Sequence, residues 1–262
     1  MTQVALDTAM SGWDQPLSRR IANPPPIPNQ CARTRITLLG RFAITALGRR
    51  VSLPPSAQRL VALLALNSHT LGRVQAAGIL WPETTQDRAN ASLRSALWRL
   101  RQAGISIVAA SATSLGLVGG VGIDVRDVEA RARRLIDRSV ICESWELNAA
   151  CFDAELLPDW YEDDWVSLER ERLRQLCLHA LEALSMRFSQ LGRHGEAVDT
   201  ALAAVRCEPL RESAQRTLIL AHLAEENRVE ARHQFERYTI LLNTELGVTP
   251  SLGLAALLDY KK

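Results

Sequence analysis

Apolar and polar positions alternate from Arg35 to Thr45 in RITLLGRFAIT, the period of a half-buried strand, and a second short strand fits LGRRVSLP, with Gly40 and Gly48 as punctuation. The period then changes. Leu60, Leu63, Leu64 and Leu66 recur at helical spacing and predict a helix that Ser56 caps and that runs through Asn67. After a break at Ser68 to Gly72, residues Val74 to Leu80 predict a second helix that ends before Pro82. Thr84 with Asp87 three residues on makes a capping-box-like start for a third helix, expected to run to about Ala103 and to stop at Gly104. SIVAA and SLGLV then read as two short strands around Ser111 to Ser114, a β-hairpin directly after that helix.

Beyond Gly122 the pattern is helical almost throughout, with breaks near Pro158, Gly192 to Gly195, Pro209, Asn227 and Gly247. Shifting the chain against itself by 34 residues aligns Ala180 with Ala214, Leu184 with Leu218, Met186 with Leu220, Glu196 with Glu230 and Ala197 with Ala231. That shift is the period of tetratricopeptide helix pairs, in which small residues let neighbouring helices approach; coincidence between two amphipathic helices is the alternative. The expected fold is mostly α with a small β component: an N-terminal winged helix-turn-helix domain at 33–122, then an all-α, TPR-like helical repeat domain at 123–258 and a short tail at 259–262. Residues 1–32 contain the run PPPIP, Pro24 to Pro28, and are expected to form a disordered arm, with a proline-rich ligand segment as the sharper alternative.

The third helix carries the candidate chemistry. Ala89, Leu93, Ala96, Leu97 and Leu100 fall on one face; the other collects Arg88, Ala91, Ser92, Arg94, Ser95, Trp98, Arg99 and Gln102, with Asn90 and Arg101 at its margin and no acid between Arg88 and Arg101. A sheet, three helices and a terminal hairpin follow the order of a winged helix-turn-helix, whose last helix enters the major groove of duplex DNA. There a guanidinium can donate two parallel hydrogen bonds to guanine or clamp a phosphate, while Asn90, Ser92 and Ser95 can bond bases or backbone. Trp98 is read as packing beside the hairpin or over the core edge, with contact to sugar and thymine methyl groups as the alternative. The hairpin tip has no basic residue, so Thr113 and its neighbours are expected to reach a phosphate only through hydroxyls and amides.

Charge sharpens this picture more than composition does. The chain is 47% apolar and 23% charged, an ordinary globular balance for two cores, and its formal net charge is only +2. Between Arg33 and Arg101, however, eleven arginines face two acids, Glu83 and Asp87, whereas from Glu143 onward 21 acids face 13 basic residues. Cys31, Cys142, Cys151, Cys177 and Cys207 form no CxxC pair and are expected to be reduced and mostly buried. Without a signal-like stretch or a long apolar run, the expected location is the cytoplasm, nucleoid-associated when DNA is bound. Phosphate-loop, zinc-protease, nucleophile-elbow and dinucleotide motifs are missing; His69, His179, His194, His222 and His233 are dispersed, and Glu162 to Asp164 reads as a solvated helix start. No cofactor, no metal and no enzymatic activity are therefore expected, and His179 and His222 are read as hydrogen-bonded core or rim histidines.

The stretches RITLLGRFAI, ILWPE and NASLRSALWRLRQAG resemble the DNA-binding domain of the Streptomyces antibiotic regulatory protein family, itself similar to the OmpR-type effector domain. LLPDWYEDDWVSLERERLRQ, EPLRESAQRTLILAHLAEENRVEA and LLNTELGVTPS resemble the bacterial transcriptional activator domain that follows it there, so that the likeness covers Arg33 to Leu258. The resemblance implies sequence-specific promoter binding at direct repeats and activation through RNA polymerase holoenzyme. It puts Arg94, Arg99 and Arg101 in the recognition helix and makes Trp81, Pro82, Glu83, Thr84, Thr85, Gln86 and Asp87 the loop that meets polymerase. It also implies oligomerisation or regulation through the helical domain, a homodimer being one such assembly; no membrane partner is expected, since no segment approaches eighteen consecutive apolar residues. The chain departs from OmpR-type wings at Leu115-Gly116-Leu117, which stands in place of aromatic and basic residues. A protein-interaction adaptor and a small-molecule sensor, both using the helical repeat, are the competing readings.

Overall fold

The computed structural model describes residues 34–142 and 146–258, so the expected N-terminal arm at 1–32 and the tail at 259–262 lie outside the described residues. Strand β1 (Thr34–Thr37) buries Thr34 and Ile36 and exposes Arg35, the alternation of a one-sided strand. It pairs antiparallel with β2 (Ala43–Ala46), which pairs with β3 (Arg49–Val51). Helix α1 (Pro55–Leu66) follows. Its cap is not Ser56 as expected: Pro54 stands at the N-cap and Pro55 at the first helical position, where the missing N–H costs nothing and the fixed φ already suits a helix. Strand β4 (Leu71–Gly72), α2 (Arg73–Leu80) and α3 (Gln86–Gln102) come next, then the hairpin β5 (Val108–Ala110) and β6 (Ser114–Leu117).

Two pairings escaped the sequence pattern. β4 adds to the hairpin as an outer strand, giving the sheet order β4-β6-β5, and β7 (Gly122–Ile123) runs parallel to β1 at the edge of the first sheet, order β3-β2-β1-β7. Both are two residues long, too short to show a period.

β7 runs directly into α4 (Asp124–Ile136), and this junction ties the two halves together. The buried carboxylate of Asp124 accepts hydrogen bonds from the backbone N–H groups of Leu38 (2.9 and 3.0 Å), Leu39 (3.0 Å) and Val125 (2.8 Å), donors that would otherwise be unpaired where β1 runs out. Leu39 forms an antiparallel bridge with Leu156, flanked by Gly40 N–H to Glu155 O (2.7 Å) and Leu157 N–H to Leu38 O (2.9 Å). Phe42 stacks on Trp160 at 5.9 Å, and Trp160 meets Trp165 edge-on at 6.4 Å. Asp163 accepts from both Arg59 and the Trp165 indole (3.1 Å), and Arg126 donates to Ala65 O (3.2 Å) and Asn67 O (2.8 Å) at the end of α1. One apolar core runs without interruption from Ile36 to Ala221.

The expectation of nearly continuous helix after Gly122 fails between 137 and 163. There the described chain is mostly irregular, with a 3₁₀ turn at Ala149–Phe152, and its buried Leu156 and Leu157 serve the strand contact rather than a helix stripe. Beyond it stand α5 (Asp164–Gln190), α6 (His194–Cys207), α7 (Glu212–Ala224), α8 (Arg228–Leu246) and the short α9 (Leu252–Ala255). The self-alignment is physically meaningful. Ala180 and Ala214, Leu184 and Leu218, and Ala197 and Ala231 are all fully buried where α5–α6 and α7–α8 pack, whereas Met186 and Leu220 lie toward the surface. Asn227 caps α8 by accepting from Glu230 N–H (3.3 Å), and Gly247 (φ 68°) ends it in the left-handed conformation.

Candidate nucleic-acid interface

Helix α3 is a two-faced rod. Ala89, Leu93, Ala96, Leu97 and Leu100 are buried against α1 and α2, the alanines permitting close approach, and Gly104 (φ 72°) ends the helix as expected. The predicted capping box is not made. Thr85 occupies the N-cap without a side-chain bond, while the Thr84 hydroxyl donates back to Trp81 O (3.1 Å) and closes the connecting turn instead. Asp87 in the first turn and Arg99 and Arg101 in the last agree with the helix dipole.

On the outer face Arg88, Ala91, Arg94, Ser95, Arg99, Arg101 and Gln102 are exposed, and Asn90 and Ser92 are half-buried. Trp98 is 60% exposed, which overturns the packing expectation: neither the hairpin nor the core covers the ring. Among the described residues the guanidinium groups of Arg88, Arg94 and Arg101 have no hydrogen-bond or ion-pair partner. Arg99 donates to the Ser56 hydroxyl (3.2 Å) at the start of α1, and Gln86 donates to the Asn90 side-chain oxygen (3.3 Å), so these two positions of the face are held in place.

The hairpin tip closes on itself. The Ser111 hydroxyl accepts from Thr113 N–H (3.2 Å) and Ser114 N–H (2.9 Å) and shares a hydrogen bond with the Ser114 hydroxyl (2.8 Å), leaving Thr113 exposed. A basic group nevertheless reaches this tip. Arg73, first residue of α2, donates through its backbone to Thr113 O (2.9 Å) and through its guanidinium to Ser111 O (3.2 Å). The hairpin sequence carries no sign of it, because the two-residue strand β4 is what brings Arg73 there.

The arginine excess of the first half is divided. Arg35 pairs with Asp127 (3.0 Å), Arg41 with Asp159 (3.8 Å) and Arg59 with Asp163, all acids of the second half. Of the rest, Arg49 and Arg50 on β3 are exposed and have no partner among the described residues, α3 carries Arg88, Arg94, Arg99 and Arg101, and Arg73 stands at the hairpin tip. In the connection that precedes α3, Trp81 is half-buried against the core while Pro82, Glu83, Thr84, Thr85, Gln86 and Asp87 are exposed, the last two already in the helix.

Cys31 lies outside the described residues. Cys177 is buried, and burial pushes its thiol up to about 12, against nucleophilic use; Cys142 and Cys151 are half-buried, and Cys207 is exposed, contrary to the expectation for it. His222 is buried, but its Nδ1 makes none of the hydrogen bonds expected of a core histidine, and His179 is exposed. Among the described residues no three side chains of the kind that ligate metals come together, and no helix is long and apolar enough to cross a membrane.

Residues 124–259 match the family model of the bacterial transcriptional activator domain. The regulatory protein AfsR of Streptomyces coelicolor (strain ATCC BAA-471 / A3(2) / M145) is 29% identical over 218 residues, which is 78% of this chain and 21% of that protein. Among solved structures, Mycobacterium tuberculosis EmbR in complex with low affinity phosphopeptide aligns at a TM-score of 0.66 and 21% identity, over 87% of this chain and 64% of that one, and so has the same fold. This chain thus spans about a fifth of the length of the first and under two thirds of the second. With more than half of its length inside the family model, the chain belongs to the bacterial transcriptional activator domain family, a family of transcription regulators.

Proposed function

We propose that this protein is a sequence-specific regulator of transcription that binds promoter DNA by laying α3 in the major groove, and that it acts as an activator without enzymatic chemistry. The observation that carries this reading is the outer face of α3: three unpartnered guanidinium groups, Arg88, Arg94 and Arg101, beside the exposed Trp98 and the small polar groups Asn90, Ser92 and Ser95. Free guanidiniums suit bidentate bonds to guanine or contact with phosphates, and Arg99, held by Ser56, is set to anchor the backbone. Arg73 and Thr113 at the hairpin tip extend the contact to the flanking phosphates.

In this reading the module spans 33–122, the helical domain 123–258, and the Trp81 to Asp87 connection, exposed beside α3, turns toward RNA polymerase holoenzyme. The helical domain serves a homodimer on direct repeats, and the protein works in the cytoplasm, on the nucleoid when DNA-bound. The test is footprinting of the full chain on a genomic fragment library, followed by titration of the recovered site at several salt concentrations. A steep salt dependence is expected, shallower by about three counterions in the Arg88→Ala, Arg94→Ala, Arg101→Ala triple variant if each residue neutralises one phosphate, with selectivity lost where one reads a base. Equal affinity and equal salt slope for the triple variant and the parent would remove α3 from the mechanism.

A further inference from the structure

The helical domain has a hollow surface whose described lining contains no acid. Two cavities of about 330 and 510 Å3 adjoin at Leu220, which lines both. Their apolar walls include Met186, Leu220, Leu223, Leu257 and Leu258, from α5, α7 and the segment after α9. Every charged side chain lining them is an arginine: Arg138, Arg187, Arg228 and Arg232. From Glu143 onward acids outnumber bases by 21 to 13, so a lining free of carboxylates stands against its surroundings.

The four arginines are not equivalent. Arg187 is spent on structure, donating to the carbonyls of Leu135 (3.0 Å), Val140 (3.0 Å) and Asp137 (2.7 Å) and so closing the end of α4. Arg232 is 77% exposed and only loosely paired with Glu236 at 3.7 Å. Arg138 and Arg228 are exposed and have no partner among the described residues. Arg228 is moreover the first residue of α8, where the positive end of the helix dipole opposes a cation, so nothing inside the fold stabilises its charge there. Between the two ends of this positive rim, Leu220 is 38% exposed, at the position that the repeat register equates with Met186.

We propose that this groove binds a peptide segment of a partner protein in which aliphatic side chains alternate with aspartate or glutamate. The aliphatic groups cover Leu220, Leu223 and Leu257, and the carboxylates meet Arg138 at one end and Arg228 and Arg232 at the other, the arrangement of an apolar centre with a charged rim. Single-stranded nucleic acid fits less well, since its bases need aromatic platforms and the lining has none.

The inference stands apart from α3 and is tested on the full chain with a random short-peptide display library, selected in parallel on the parent protein and on the Arg138→Glu, Arg228→Glu double variant. Both positions are exposed, and a glutamate at the start of α8 suits the dipole, so the variant should fold, as circular dichroism would check. The expected result is enrichment of peptides combining Leu or Ile with Asp or Glu on the parent alone. A synthetic copy of the leading peptide should bind the double variant and the Leu220→Glu variant about tenfold or more weakly, a difference readable as anisotropy. Duplex affinity should not change in these variants, nor peptide affinity in the α3 triple variant, so the two readings fail separately. Failure to enrich, enrichment of basic peptides, equal recovery on both proteins, or displacement of the peptide by a single-stranded oligonucleotide at equal concentration would overturn the proposal. So would sedimentation showing a parent dimer that the double variant cannot form, since the groove would then belong to a second copy.

Discussion

The outer face of α3 and the junction between the two modules use the same residue type in opposite ways. On α3, Arg88, Arg94 and Arg101 are exposed and make no ion pair among the described residues; at the junction Arg35 and Arg59 meet Asp127 and Asp163, Arg41 is only loosely paired with Asp159, and Arg126 is spent on the carbonyls at the end of α1. A run of arginines in a sequence therefore gives the sign of the charge and not its availability. The second half answers the first half's excess at the junction, and only what is left unanswered remains for an outside polyanion.

The contrast breaks most visibly at Asp124. Its side chain satisfies three backbone donors in a nearly dry site, so Asp124→Ala should destabilise the fold by about 3 kcal/mol, read as a fall in the urea midpoint with an unchanged slope. A loss below about 1 kcal/mol would mean that water replaces the carboxylate and that the modules are less firmly joined than their shared core suggests.

A reciprocal pair sharpens it. Arg94→Ala should weaken duplex binding by about 1 to 3 kcal/mol and leave the denaturation midpoint where it was, because the side chain is exposed and makes no hydrogen bond or ion pair among the described residues. Arg59→Ala should do the reverse, costing roughly 1 to 2 kcal/mol of stability by leaving the mostly buried Asp163 with the Trp165 indole as its one remaining side-chain donor, with duplex affinity unchanged. If both variants lose DNA binding, the junction positions α3 and the two uses of arginine are not separable.

A smaller effect distinguishes the far end of the helical module. Burial disfavours the charged form of Glu212, but hydrogen bonds from the Ser251 hydroxyl and backbone and from Arg216 outweigh it and hold the carboxyl below the ordinary glutamate range. A carboxyl lowered in the folded state lends stability above its unfolded value and withdraws it as the pH falls through the folded one. The protection factor of the Leu254 amide, in the short helix that Ser251 caps, should therefore fall on acidification before those of the α5 core, and Glu212→Gln should remove the difference. Uniform protection down to acid unfolding would leave the clip without effect.

Local signals reached some parts of this molecule and not others. The leucine spacing of α1 and α3, the glycine stop at Gly104 and the paired alanines of the repeats could be read because each depends on neighbours within a turn or two, or on one fixed period. The two-residue strands β4 and β7 have no period to read, and they bring Arg73 to the hairpin tip and Asp124 to the end of β1. The described, mostly irregular chain between 137 and 163 looked helical by composition, yet its Leu156 and Leu157 pair with Leu39 and Leu38, just past β1 and more than a hundred positions away. The face of α3 was legible as a list of residues; which arginines are free was not, since that depends on acids distant in sequence.

Trp98 gives the finest test of the comparison. A tryptophan on a polar face is usually covered, and here 60% of it is open, so its truncation removes little buried area. Trp98→Ala should change stability by no more than about 0.5 kcal/mol, while weakening duplex binding modestly and equally at high and low salt, since an uncharged ring releases no counterions. A stability loss of about 2 kcal/mol would instead show the ring folded against the hairpin in solution, and would make α3 an ordinary amphipathic helix with arginines on its solvent side.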